Sequence, residues 1–309
     1  MGIQKTDTAK RKNNADPVMG PVLARFFSAS VLRELAQNGH SAIAGRLSQQ
    51  NHLFEQFDSN MPVGEFYDAV FRRLVKEYRH EYIYKNAIAE KILLGKHNLK
   101  TAFMLTEFRV ADCKADAVVL NGTSHVYEIK SEMDSFERLD RQLAAYRRMF
   151  DYITVITTER LYQSVLERVP REIGIMVLAE GKYQFRVKNC RRDAVSNKRN
   201  VDPLVILDSL QRREFLKIIK EHFGVSFTHM PNTQIYAEAR KVFKQLAPEA
   251  AHDAMVEVLK QRRETRRVAD FVLDVPASLK AASLSLRLTQ GERSRFISLL
   301  GKDISSTFA

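Results

Sequence analysis

The stretch DAVVLNGTSHVYEIK, running from Asp116 to Lys130, decides the fold. Two apolar, β-branched runs, Ala117 to Leu120 and His125 to Ile129, flank Asn121-Gly122, and this combination predicts a β-hairpin. The two-residue period of a strand puts Glu128 and Lys130 on one face and Tyr127 and Ile129 on the other. Loop length then sets what Asp116 can reach. A two-residue loop pairs Leu120 with Thr123 and leaves Asp116 and Glu128 on opposite faces. A three-residue loop, Asn121-Gly122-Thr123, pairs Leu120 with Ser124 and sets Asp116 across from Glu128. A site shared by the two carboxylates therefore requires the longer loop, with Gly122 or its neighbour left-handed, or a bulge that restores the face.

Outward from the hairpin, Phe103 to Val110 reads as a preceding strand, Ser135 to Phe150 as a helix and Tyr152 to Ile156 as a strand. Strand, helix, strand implies a crossover and a parallel pair. A helix at Leu161 to Arg168, a strand at Ile173 to Leu178 and an edge strand at Tyr183 to Val187 complete the middle third. Upstream, Val18 to Leu94 carries apolar residues at helical spacing, as in Phe66, Val70 and Leu74. Its last helix, Tyr82 to Leu94, is expected to stop at Gly95 in a left-handed cap. Residues 1–17 read as a polar arm. Downstream, Arg186 to Asn200 is a basic loop, followed by helices at Ile206–Phe223, Gln234–Leu246, Pro248–Arg263, Ala277–Leu288 and Gln290–Leu300. Thr289 and Glu292 have capping-box spacing. The reading is α/β: a helical region at 1–80, a mixed-sheet core at 81–190, and a basic loop with helices at 191–309.

Composition narrows the function classes. The 309 residues are 45% hydrophobic and 28% charged, with 49 Lys+Arg against 37 Asp+Glu and a formal net charge of +12. That suits a folded domain with polyanionic partners. Cys113 and Cys190 are too few for a disulfide framework or a cysteine-based zinc site, which fits a reducing cytoplasm. No apolar run approaches the roughly 18 residues of a membrane span, and no signal peptide is legible, so neither export nor a membrane partner is expected.

The chemistry lies in Asp116, Glu128 and Lys130. Carboxylates converging from neighbouring strands are hard oxygen ligands suited to Mg²⁺ or Mn²⁺, and a lysine beside them can position or deprotonate a water. Lys130 is expected at an exposed strand position. No Ser/His/Asp arrangement and no phosphate-cradling loop has support in the sequence.

With these residues in place, the stretch from about 82 to 180 resembles the PD-(D/E)XK, or restriction-endonuclease-like, nuclease superfamily. An acidic residue on one strand (Asp116) and E-x-K on the next (Glu128, Lys130) carry the resemblance, although Ala115 stands where the motif often has proline. Gln142 and Tyr146 look like the Q-x-x-x-Y element of RecB-like nucleases. The region also looks like an uncharacterised bacterial family of suspected nucleases associated with phage defence. The resemblance implies a metal-dependent nuclease: Asp116, Glu128 and the helical Glu90 hold the metal, Lys130 acts on water, and Gln142 and Tyr146 assist. Glu107 is the alternative third carboxylate. Tyr146 suits either a core-edge position or contact with DNA.

Arg138 lies one helical turn before Gln142, and with Arg147, Arg191, Arg192, Lys198 and Arg199 it is expected to meet a phosphate backbone. Lys260, Arg262, Arg263, Arg266 and Arg267 form a second basic segment, commonly a solvated helix face. DNA is the expected substrate. The competing readings are an RNA nuclease and a catalytically silent binding or regulatory protein on the same fold.

Overall fold

The computed structural model describes residues 19–97, 99, 101–262 and 265–308. The arm at 1–17 lies outside the described residues, as does Arg263. The N-terminal helices are α1 (Met19–Arg25), α2 (Ala29–Asn38), α3 (Ala42–Gln50), α4 (Val63–Glu77) and α5 (Glu81–Ala87), the last running on as a π-helix over Ile88–Leu94. Ser28 caps α2 by accepting the Val31 N–H, and Gly39 ends it in the left-handed conformation. On α4, Phe66, Val70 and Leu74 are buried as their spacing requires. Gly95 differs from expectation: its φ is −79°, and the helical turn continues through it.

Five strands follow: β1 (Phe103–Val110), β2 (Cys113–Leu120), β3 (Ser124–Lys130), β4 (Tyr152–Thr157) and β5 (Gly174–Val177). They lie side by side in chain order, antiparallel through β1, β2 and β3 and parallel from β3 to β5. The crossovers are α6 (Leu139–Arg147) and α7 (Tyr162–Arg168). The fold is thus α/β with a mixed sheet. The edge strand expected at Tyr183–Val187 is reduced to isolated bridges, Leu178 to Phe185 and Ile175 to Arg192. That segment still covers the free edge of β5, because Arg192 and Ile175 exchange both backbone hydrogen bonds.

Beyond it come α8 (Pro203–Ser209), α9 (Arg212–Phe223), α10 (Asn232–Phe243), α11 (Pro248–Lys260), α12 (Thr265–Asp274), α13 (Lys280–Ser285), α14 (Gln290–Leu299) and α15 (Ile304–Thr307). The capping box of Thr289 and Glu292 is present on α14. Two cores flank the sheet. One gathers Val118, Leu120, Val126, Val155 and Ile175 with α6 to α11. The other joins Met104, Val119, Tyr127 and Ile156 to the N-terminal helices and to the last segment, where Phe296, Leu299 and Phe308 are buried. The last helices are tied to the start of α4: the Val63 N–H donates to the Lys302 carbonyl at 2.8 Å, and the Ile304 N–H to that of Met61 at 3.0 Å.

Candidate active site

The β2–β3 turn is the three-residue one. Leu120 pairs with Ser124 and Ala117 with Tyr127, and Gly122 has φ +69°. The next step of this register sets Asp116 across from Glu128. The ladder stops there, and the Asp116 carboxylate accepts the Ile129 N–H at 2.7 Å.

A second irregularity lies on the other side of β2. Thr106 pairs with Ala117 and Phe108 with Ala115, while Glu107 and Asp116 between them are unpaired, with Glu107 at φ +56°. The alternation of faces flips across this step in both strands. Phe103 shares a core with Phe108 and Val110, and Cys113 and Ala115 share it with Val118 and Leu120. Each strand carries one extra residue, and the two stand opposite each other, so pairing resumes in register. Such an irregularity re-aims side chains, and Glu107 and Asp116 both line the resulting cleft of about 190 Å³.

Glu128 and Lys130 sit on β3, which is covered on both faces, so they are only 1% and 3% exposed. This corrects the expectation of an exposed Lys130. The Lys130 ammonium donates to Glu128 Oε1 at 2.9 Å and to Gln142 Oε1 at 3.0 Å. Tyr146 is fully buried, and its hydroxyl lies 2.7 Å from Glu128 Oε2 and 3.1 Å from the Lys114 carbonyl. Tyr146 therefore holds the carboxylate, and its burial rules out contact with DNA.

Burial, reinforced by the charge of Glu128, pushes the Asp116 carboxyl well above its ordinary range. Burial also raises Glu128, against the opposing pull of Lys130 and the Tyr146 hydrogen bond. Burial and the adjacent Glu128 raise the Tyr146 phenol, which stays a donor.

The helical carboxylate that joins the cleft is Glu81, at the start of α5. Carboxylate oxygens of Glu81, Glu107 and Asp116 lie within 4.8 Å of one another. Glu90 is not among the residues lining the cleft; it pairs with Lys91 on the π-helical stretch. Nine residues separate the two glutamates, about two and a half turns, so they emerge on opposite sides of the helix. Lys85 bonds both Glu81 and Glu107, and Lys114 bonds Glu107 at 2.5 Å. Burial works against the charge on Lys85, yet Glu81 and Glu107 outweigh it and raise the ammonium pKa. Burial would raise Glu107, but Lys114 and Lys85 bring it below its ordinary value. The sequence reading missed Glu81, Lys85 and Lys114; the i, i+4 spacing of Glu81 and Lys85 was the available signal. The hard carboxylate oxygens of Glu81, Glu107 and Asp116, with Glu128 beside Asp116, make a donor set that fits a divalent cation.

Arg138 lines the cleft. The remaining expected phosphate contacts have partners of their own. Arg147 pairs with Glu172, Arg191 with Asp193, Lys198 with Asp253 and Arg199 with Glu249. Arg192 donates to the carbonyls of Val169, Pro170 and Ile173. In the second basic segment, Lys260 pairs with Glu257 and Arg262 with Glu214; the side chains of Arg266 and Arg267 lie outside the described residues.

Folding also assembles a Ser/His/Asp set that the sequence did not suggest. Ser124 Oγ lies 2.7 Å from His252 Nε2, and His252 Nδ1 lies 3.1 Å from Asp253. Ser124 and His252 are both fully buried. No substrate can meet that hydroxyl, so the set ties the hairpin to α11.

Protein cII of Enterobacteria phage P4 is 29% identical over 139 residues, which cover 44% of this chain and 52% of that protein. The chain thus spans about half the length of this curated relative. Among solved structures, the SPO1766 protein of unknown function from Silicibacter pomeroyi matches 43% of this chain and 87% of its own, with 16% identity and a TM-score of 0.27. The family model described as Bacteriophage P4 protein cII matches residues 74–274, from the end of α4 through the sheet and its cleft to the end of α12, and the chain belongs to that family.

Proposed function

We propose that the chain is a metal-dependent hydrolase of DNA phosphodiester bonds, built on a restriction-endonuclease-like core and working in the cytoplasm. One observation carries the reading: Glu128 is buried beside Asp116, with Lys130 and Tyr146 each donating to one of its oxygens. Bound Mg²⁺ or Mn²⁺ would supply Lewis acidity and a water of lowered pKa. Asp116 would hold it with Glu128 or with Glu81 and Glu107, since Asp116 belongs to both groupings. Lys130 has three ammonium protons, two taken by Glu128 and Gln142, which leaves one to orient a water or a phosphate oxygen. Arg138 at the cleft supplies a further positive charge toward substrate.

A cleavage assay on linear, circular and single-stranded DNA and on RNA, with and without Mg²⁺ or Mn²⁺, tests this beside Glu128→Ala. Metal-dependent cleavage lost in the variant is expected; a substrate panel left intact under every condition would refute it. The specific observation that favours a silent nucleic-acid-binding protein is the lysine pairing of the acids, Lys85 between Glu81 and Glu107 above all. The same assay separates the readings.

A further inference from the structure

A groove of about 550 Å³ opens between the end of the π-helical stretch and the segment that covers β5. Five cations line it, Lys91, Lys96, Arg186, Lys188 and Arg191, and no carboxylate does. Lys96 and Lys188 are exposed and make no ion pair among the described residues. Lys91, Arg186 and Arg191 each pair with one acid, Glu90, Glu159 and Asp193. Pairs that stay partly exposed to solvent, as these do, contribute little and give way to a better anion. Val187, 78% exposed, lies beside Lys188 in the groove lining.

The groove is tied to the cleft by one helix. Glu81 lines the cleft at the first turn of α5, and Lys91 and Lys96 lie farther along the same continuous helical stretch. From Glu81 to Lys96 is on the order of 20 Å along this helical stretch, whose π-helical part rises less per residue than an α-helix. A DNA strand in a duplex presents one phosphate per about 3.4 Å of helix axis, so roughly six phosphates span that distance along the axis. We propose that this groove binds the phosphate backbone of DNA several nucleotides away from the cleft, which sets the register of the strand on the protein. The inference rests on DNA being the substrate but not on its cleavage.

The test measures binding of a fluorescent duplex of about 20 base pairs by anisotropy, in EDTA so that nothing is cleaved, from 50 to 200 mM KCl. Counterion release makes log affinity fall with log salt by about 0.9 per phosphate contact. The double variant Lys96→Glu/Lys188→Glu is expected to lower the slope by about 2 and to weaken binding at least tenfold at 50 mM. Lys302→Glu, at an exposed site outside the groove, should leave the slope in place. An unchanged slope in the double variant, an equal loss in Lys302→Glu, or polyglutamate binding as tightly as DNA would each overturn the proposal. A duplex bound through the groove but never cleaved with metal would refute the hydrolase while leaving the groove assignment standing. Cleavage with an unchanged slope would do the reverse.

Discussion

Asp116 and Ile129 are joined where the β2–β3 ladder ends, the carboxylate taking the Ile129 N–H at 2.7 Å in place of a backbone carbonyl. The aspartate thus both closes the hairpin and lines the cleft, and these two roles respond differently to substitution. Asp116→Asn keeps an acceptor for Ile129 and removes the charge that burial and Glu128 oppose. The folded-state pKa of Asp116 lies above its unfolded value, so the folded protein holds that proton more tightly. The resulting stability is present in acid and is lost as pH rises from the ordinary carboxyl range through the raised value. Without divalent metal, Asp116→Asn should therefore melt above the wild type at pH 8, by a few degrees, and the gap should close toward pH 4. Asp116→Ala should fall below Asp116→Asn by about 1–3 kcal/mol, because it orphans the Ile129 N–H. Thermal unfolding in EDTA across this range reads both effects; parallel pH curves for wild type and Asp116→Asn would show that the buried charge carries no cost.

Lys130→Ala removes the cation from a buried pair. Breaking such a pair typically costs about 3–5 kcal/mol, since the remaining charge stays buried and uncompensated. Glu128 is already raised by burial and rises further without Lys130, so the destabilisation should be larger at pH 8 than at pH 5, where the carboxyl takes up a proton. Adding Glu128→Gln to Lys130→Ala should recover most of the loss in denaturant unfolding. If Lys130→Ala unfolds at the wild-type midpoint, the pair contributes nothing and Lys130 is held elsewhere.

The hairpin and its consequences were legible in the sequence. A shared face for Asp116 and Glu128 demanded a three-residue turn, and Gly122 provides its left-handed residue. The matched extra residues Glu107 and Asp116 were not legible, because Thr106-Glu107-Phe108 alternates in no way that marks a left-handed glutamate. The burial of Lys130 depended on α6 closing over β3, a tertiary event that strand periodicity does not report. Ile88, Ile92 and Leu93, the apolar neighbours of Glu90, are all buried. Those neighbours fix the helix against the core without saying which exposed face meets the cleft. The end of the basic loop read as free charge because the acids that meet Lys198 and Arg199, Asp253 and Glu249, are remote in sequence.

Glu81 and Glu90 offer a direct contrast on one helix. Isothermal titration of Mn²⁺ should show weaker binding in Glu81→Gln and unchanged binding in Glu90→Gln, since only Glu81 lies with Glu107 and Asp116. The Glu81 variant also frees Lys85 from one of its two partners, which leaves the ammonium to Glu107 alone. Glu107→Gln should then weaken metal binding as well. Equal affinities in wild type and Glu81→Gln would confine the metal to Asp116 and Glu128.

Arg192 separates a structural arginine from a phosphate-binding one. Its guanidinium donates to three carbonyls, those of Pro170 and Ile173 at 2.8 Å and that of Val169 at 3.2 Å, all around the turn that leads from α7 into β5. Its own backbone pairs with Ile175, so one residue pins the covering segment to the strand edge from both sides. Arg192→Ala should lower stability by about 1–3 kcal/mol through these orphaned carbonyls. The same variant should keep the wild-type salt slope for DNA binding at a temperature where it remains folded, because three of the five guanidinium N–H donors, those of Nε and Nη2, are committed to backbone carbonyls. Arg192→Lys should recover little, as an ammonium cannot reproduce the planar fork. A slope lowered by about 1 in Arg192→Ala, with stability unchanged, would return this residue to the DNA interface.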